Sequence, residues 1–147
     1  HIVGVDSNGR VYCTGNDEAC AIEGTRNVTK VFATKNASIA LSDVGTLSYS
    51  GTFIGSSYLK DFNNIIDIAS SDNILAILND KHMLNVFSKN GSYLKSETWT
   101  DLVDVACGND FVAALDSYGK VNIEIDSDEY EQEVKSHDRF RHSSGSN

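Results

Sequence analysis

The sequence predicts an all-β fold of about 3.5 repeats of 37 residues, antiparallel sheets of up to four strands standing side by side as blades of a partial or open β-propeller. Three observations lead there. Segments of matching character recur at a fixed spacing, each is followed by a polar turn tetrapeptide, and each turn is followed by residues that alternate apolar and polar.

The repeat comes first, because overlooking it would miscall the whole fold. Val103 to Leu115 reads VDVACGNDFVAAL, Ile66 to Leu78 reads IDIASSDNILAIL, and Thr29 to Leu41 reads TKVFATKNASIAL. The columns keep their physical character: Val31, Ile68 and Val105 are β-branched, Ile39, Ala76 and Ala113 are small or aliphatic, and Leu41, Leu78 and Leu115 close each copy. One step further back, with a single deletion, HIVGV ends in Val5, so a fourth copy is present without its first strand. The units are thus a partial copy at 1–28, then 29–65, 66–102 and 103–135, with 136–147 a polar, serine-rich flexible tail.

The turns are Asp6-Ser7-Asn8-Gly9, Ser42-Asp43-Val44-Gly45, Asn79-Asp80-Lys81-His82 and Asp116-Ser117-Tyr118-Gly119. Three end in glycine, which supplies the positive φ of short hairpins, and His82 replaces it in the third. The residues that follow, such as Met83-Leu84-Asn85-Val86-Phe87 and Lys120 to Ile125, place an apolar side chain at every second position, the period of a strand with one buried face. Lys89-Asn90-Gly91 offers a further hairpin, with a fourth strand over Ser92 to Ser96. Helical patterning is weak, and the one stretch long enough, Ser127 to His137, has no apolar stripe.

Composition narrows the function. Asp and Glu outnumber Lys and Arg 21 to 12, a net charge of -9 without a basic cluster, which argues against nucleic acid and against anionic membrane surfaces and for solubility or a basic protein partner. No apolar run approaches a spanning helix, so the expectation is a soluble chain, intracellular or particle-associated in preference to membrane-bound. Cys13, Cys20 and Cys107 match no zinc or redox spacing. A Cys13 to Cys20 bridge is open, but the spacing favours three small buried hydrophobes in strands.

Chemistry is sparse. Of the histidines His1, His82, His137 and His142, none stands where a buried general base is expected, so catalytic residues are set at none. The acidic run through Glu124, Asp126, Asp128, Glu129, Glu131 and Glu133 lacks the glycine and terminal glutamate of a calcium loop, so no metal and no cofactor are expected. Recognition falls instead to aromatics in or beside turns: Phe53, Tyr58, Trp99, Tyr118 and Tyr130. Tyr118, at a hairpin tip, is the foremost of these, while for Tyr58 and Trp99 filling space between blades is the stronger reading. Asn109 and Asp110, at the head of the second strand in the last copy, complete the candidate protein-binding set.

The unit I/V-D-I/V-A-C-G-N-x-x-x-A-L-D-S-x-G-K-V, clearest at Val103 to Val121 and again at His1 to Gly15, resembles the repeat of the regulator of chromosome condensation superfamily, in a short, degenerate form. The likeness spans about residues 1–126. It departs from the family where Trp-Gly after the third strand is replaced by Thr14-Gly15, Ser50-Gly51 and Phe87-Ser88. The resemblance implies a propeller whose face loops bind proteins. Three and a half repeats cannot close a seven-bladed ring, so a protein partner, self-association completing the propeller, or a place within a longer propeller is expected to cover its edges.

These readings together predict a non-enzymatic protein-binding or scaffold module. A structural subunit of a large assembly, such as a virion or phage particle, is the alternative. Nucleotide exchange on a GTPase enters by family analogy alone, because no contact loop of the exchange factor is matched residue by residue.

Overall fold

The computed structural model describes residues 1–89 and 95–126. The first sheet pairs β1 (Ile2–Val5) with β2 (Val11–Thr14). The second holds β3 (Val28–Ala33), β4 (Ala37–Ser42) and β5 (Leu47–Gly51). The third holds β6 (Ile65–Ser70), β7 (Ile74–Asn79) and β8 (Leu84–Ser88), and the fourth β9 (Leu102–Cys107), β10 (Phe111–Asp116) and β11 (Val121–Ile125). Every pairing is antiparallel between strands adjacent in sequence, so each sheet is a meander. In the first copy β1 and β2 pair as the second and third strands of the other sheets do.

The register explains why the period survives so much sequence erosion. In each three-stranded sheet one residue at the start of the first strand bulges out of the ladder, at Thr29, Ile66 and Val103 in turn. Just before each first strand stands a residue of positive φ, Asn27, Asn64 or Asp101, residue types that tolerate the left-handed region. Their carbonyls accept the N–H of Asp43, Asp80 and Ser117 from the hairpin turn of the same sheet, at 2.9, 2.9 and 2.8 Å.

The turns are built alike. Their first residue turns its side-chain oxygen onto the turn's own N–H groups: Asp6 Oδ1 accepts from Asn8 and Arg10, Ser42 Oγ from Val44 and Thr46, Asn79 Oδ1 from Lys81 and Met83, and Asp116 Oδ1 from Tyr118 and Lys120. The fourth turn residue then reaches the following sheet, where the carbonyls of Gly9, Gly45 and His82 accept the N–H of Val28, Ile65 and Leu102, each at 3.0 Å. His82, standing where the others have glycine, has φ 62° and holds the Leu102 carbonyl through Nδ1 at 2.9 Å as well.

Hydrophobic cores lie between successive sheets. Val11, Ile22, Val28 and Ala40 join the first to the second; Ile39, Leu41, Leu59, Ile65, Ile68, Leu75 and Ile77 join the second to the third; Leu78, Leu84, Leu102, Val105 and Val112 join the third to the fourth. Each fully buried aliphatic side chain contributes about 1.5–3 kcal/mol relative to exposure. One column measures the arrangement: Leu41 and Leu78 are 3% and 0% exposed, whereas Leu115 on the fourth sheet is 37% exposed, its outward face being uncovered among the described residues.

The second, third and fourth sheets have three strands each among the described residues, and a 3-10 turn follows β5 where a fourth strand was expected, while most of the fourth strand expected over Ser92 to Ser96 lies outside the described residues. After β5, Gly51 and Gly55 turn the chain with φ 87° and 78° into a 3-10 turn, Ser56–Asp61, that inserts Leu59 into the core; after β8 a second such turn, Lys95–Thr98, occupies the corresponding place. Ser96, expected to end a fourth strand, lies in that turn. Carboxylates close part of the open strand edges instead: Glu23 Oε2 accepts the Cys13 N–H at 3.3 Å and Glu97 Oε1 the Val86 N–H at 3.0 Å.

The cysteine reading is corrected too. Cys13 and Cys20 form a disulfide, with Cα atoms 5.2 Å apart, and Cys20 stands outside any strand. The segment after β2 folds back because Asn16 takes the N–H groups of Ala19 and Cys20, burying Ala19 and Ile22. Ser50 of β5 then links both residues, accepting the Ile22 N–H at 3.1 Å and donating to the Ala19 carbonyl at 2.6 Å. Cys107 is a free thiol. The helical stretch weighed at Ser127 to His137, the tail at 136–147, Tyr130 and most of the hairpin at Lys89-Asn90-Gly91 lie outside the described residues.

Candidate functional site

Antiparallel meanders divide the loops between two faces. The hairpin turns carrying Tyr118 and its counterparts gather on one, and the loops between first and second strands, 34–36, 71–73 and 108–110, gather on the other with the exits of the third strands. On that second face a cleft of about 340 Å³ is lined by Thr34, Lys35, Asn36, Thr52, Phe53, Asp72, Asn73, Lys89 and Asn109.

Equivalent positions from successive sheets build it. Lys35, Asp72 and Asn109 share a column, and the sheets are latched along it: the Lys35 N–H donates to Asp72 Oδ1 at 2.8 Å and the Asp72 N–H to Asn109 Oδ1 at 3.3 Å. Asn36, Asn73 and Asp110 form the next column, and their carbonyls accept the N–H of Thr52, Lys89 and Asp126 at 3.4, 2.8 and 2.6 Å, tying each loop to the end of its own third strand. Asn73 Nδ2 also donates to the Asn109 carbonyl at 3.1 Å. The loop face is therefore held by a hydrogen-bond lattice.

The chemistry of the lining is polar, with one aromatic wall. Phe53 meets Tyr49 edge to face, ring centroids 5.2 Å apart. Neither ammonium group, of Lys35 or Lys89, has a carboxylate within ion-pair distance among the described residues. Thr34 Oγ1 is buried without a hydrogen-bond partner. Such a lining can donate hydrogen bonds, neutralise a negative charge and flank an apolar group. Among the described residues no three His, Cys, Asp or Glu side chains come together as a metal site, and no helix is long and apolar enough to cross a membrane.

Of the residues singled out in the sequence, the structure brings Asn109 and Phe53 into the cleft and sets Asp110 beside it, exposed. Tyr118 is 84% exposed on the opposite face. Tyr58 is exposed and stacks on Phe87 of the next sheet, centroids 5.5 Å apart, while Trp99 packs against the core between the third and fourth sheets. Lys35, Asn36, Asp72, Asn73 and Lys89 were not singled out. Their signal was available: they occupy the same repeat columns as Asn109, Asp110 and Asp126.

No protein-family model matches the sequence, and no curated protein matches it. Solved structures do. The ectodomain of the receptor kinase CR4 from Physcomitrella patens aligns with a TM-score of 0.66 at 13% identity, over 84% of this chain and 38% of that one. The CRINKLY WD40 ectodomain of Arabidopsis thaliana ACR4 aligns with a TM-score of 0.60 at 12% identity, over 84% and 45%. Prp20p of Saccharomyces cerevisiae, the yeast RCC1, described with its binding to Gsp1p and histones, aligns with a TM-score of 0.59 at 15% identity, over 82% and 41%. The chain thus has an RCC1-like β-propeller fold, and it spans less than half the length of the structures it matches.

Proposed function

We propose that the chain is a non-enzymatic protein-binding module that presents the loop face of its sheets to a partner. The observation that carries this reading is the cleft itself, framed by loops from three successive sheets that hydrogen bonds hold in place before any partner arrives. A preordered surface loses less conformational entropy on binding than mobile loops do. That Prp20p, of similar fold, is described binding Gsp1p and histones and bound to Kap60 supports the same use of the fold here. Cross-linking the folded chain to captured partners tests it: cross-links should concentrate on residues 34–36, 71–73 and 108–110. Capture through other surfaces, or turnover of a substrate in the cleft, would overturn it.

The fourth sheet favours a second contact of a different kind. Leu115 and Val121 are 37% and 60% exposed, whereas their counterparts Leu78 and Leu84 on the third sheet are 0% and 3% exposed beneath the fourth. Self-association through this face predicts a molecular mass in solution that rises with concentration. A concentration-independent monomer mass would remove that second contact and leave the first standing.

A further inference from the structure

We infer, building on the protein-binding reading, that the cleft on the loop face takes an extended peptide segment carrying an acidic side chain, its carboxylate received by Lys35 and Lys89. Two lysines without carboxylate partners among the described residues line one small cleft in a chain of net charge -9. The lining itself holds two lysines to one carboxylate, Asp72, a balance opposite in sign to that of the whole molecule, and Asp72 Oδ1 is engaged by the Lys35 N–H.

The side-chain amides supply what a peptide backbone needs. Among the described residues, Asn73 uses its amide nitrogen on the Asn109 carbonyl and leaves its oxygen to accept, and Asn109 uses its oxygen on the Asp72 N–H and leaves its nitrogen to donate. An acceptor and a donor thus stand on neighbouring sheets, the complement of a peptide group's N–H and C=O. Asn36 adds an amide at the column equivalent to Asn73.

Two further features point the same way. The buried hydroxyl of Thr34 has no partner among the described residues, a deficit that an incoming oxygen acceptor would correct. Phe53 gives the cleft an apolar wall for a methylene stem or a neighbouring aromatic. A polyphosphate or nucleic acid fits less well, because the net charge of -9 opposes a polyanion while leaving a single carboxylate tolerable.

The probes are acetyl-Gly-Glu-Gly-amide and its isostere acetyl-Gly-Gln-Gly-amide, titrated into the full chain labelled with nitrogen-15 and followed by amide chemical shifts. The Glu peptide is expected to move the Lys35, Asn36, Asn73 and Lys89 amides and to bind about tenfold more tightly than the Gln peptide, the ratio that 1.4 kcal/mol of charge recognition represents. Lys35→Ala with Lys89→Ala should abolish that preference while leaving the melting temperature unchanged. Lys35→Arg with Lys89→Arg should restore it, which separates lost charge from altered folding.

Equal binding of the two peptides, shifts confined to the Tyr118 face, or no shifts up to the solubility limit would each overturn the inference. A protein partner cross-linked to the loop face whose capture ignores the double alanine variant would overturn it too and leave the binding-module reading intact. Selective binding of the Glu peptide without any captured protein would uphold the inference and count against that reading.

Discussion

Lys30 and Asp67, 37 positions apart, meet across the junction of the second and third sheets with Nζ 3.2 Å from Oδ1. The pair is unequal, the lysine side chain being 53% exposed and the carboxylate 11%. Burial pushes the Asp67 carboxyl above its usual value of 3.8; Lys30 opposes that shift, and a hydrogen bond with Asp104 adds to it.

A raised carboxyl in the folded chain means that folding favours the protonated form, so the stability this group contributes is full below 3.8 and is lost as pH rises through its folded value. Asp67→Asn is therefore expected to raise the melting temperature at neutral pH, with a gain that shrinks on acidification. Lys30→Met should cost up to about 1 kcal/mol at neutral pH and less in acid. Thermal melts across the acidic range check both, and a destabilised Asn variant at neutral pH would contradict the sign.

Asp6 predicts the opposite dependence. The N–H of Arg10 holds its carboxyl below 3.8, with the N–H of Asn8 and the Tyr12 side chain helping. Stability from this turn is present above 3.8 and is lost as pH falls through the folded value. Asp6→Ala should lower the melting temperature at neutral pH and have progressively less effect in acid, read from the same melts.

Gly45 and Gly119 share a turn column and similar φ, 80° and 85°. A β-carbon on Gly45 would lie 3.0 Å from the Ile65 nitrogen, whereas one on Gly119 meets nothing within 4 Å. Gly119→Ala should thus carry only the left-handed strain, about 1–2 kcal/mol, and Gly45→Ala more than that. Urea unfolding of the two variants measures the difference; equal costs would mean that the junction between sheets yields freely.

Leu78→Ala, at a fully buried position, is expected to cost about 2–5 kcal/mol. Leu115→Ala, in the same column but 37% exposed, should cost well under half as much. If self-association covers the fourth sheet, the Leu115 effect will grow with protein concentration in denaturation curves.

Reducing the Cys13–Cys20 disulfide should destabilise the chain by about 2–3 kcal/mol, the chain-entropy value for so short a loop, and open residues 14–24 to proteases. Cys107 supplies an internal control. Burial raises its thiol to about 11, so iodoacetamide at mildly alkaline pH should modify reduced Cys13 and Cys20 well before Cys107. Mass spectrometry of the alkylated peptides reads both.

The strands and turns were legible because their causes are local. Alternation from Met83 to Phe87 and the turn tetrapeptides act within a few residues, and the spacing of Leu41, Leu78 and Leu115 repeats a packing need three times over. First strands begin at Val28, Ile65 and Leu102, next to the residues where the repeat had been placed. The 3-10 turn at Ser56–Asp61 was not legible, since what selects it over a fourth strand is the pocket between sheets that receives Leu59. The disulfide depended likewise on Asn16 folding the loop back and on Ser50 of another sheet holding it.

Sequence alone determined the repeat period, the hairpins and the all-β character, because hydrogen-bond ladders, hairpin φ values and apolar alternation are written in neighbouring residues. Tertiary structure decided which side chains share a surface. Asn109 and Phe53 meet Lys35 and Lys89 in one cleft while Tyr118 faces away, and that outcome rests on how neighbouring sheets latch through Asp72 and Asn109, residues distant in the chain that only the stacking of the sheets brings together.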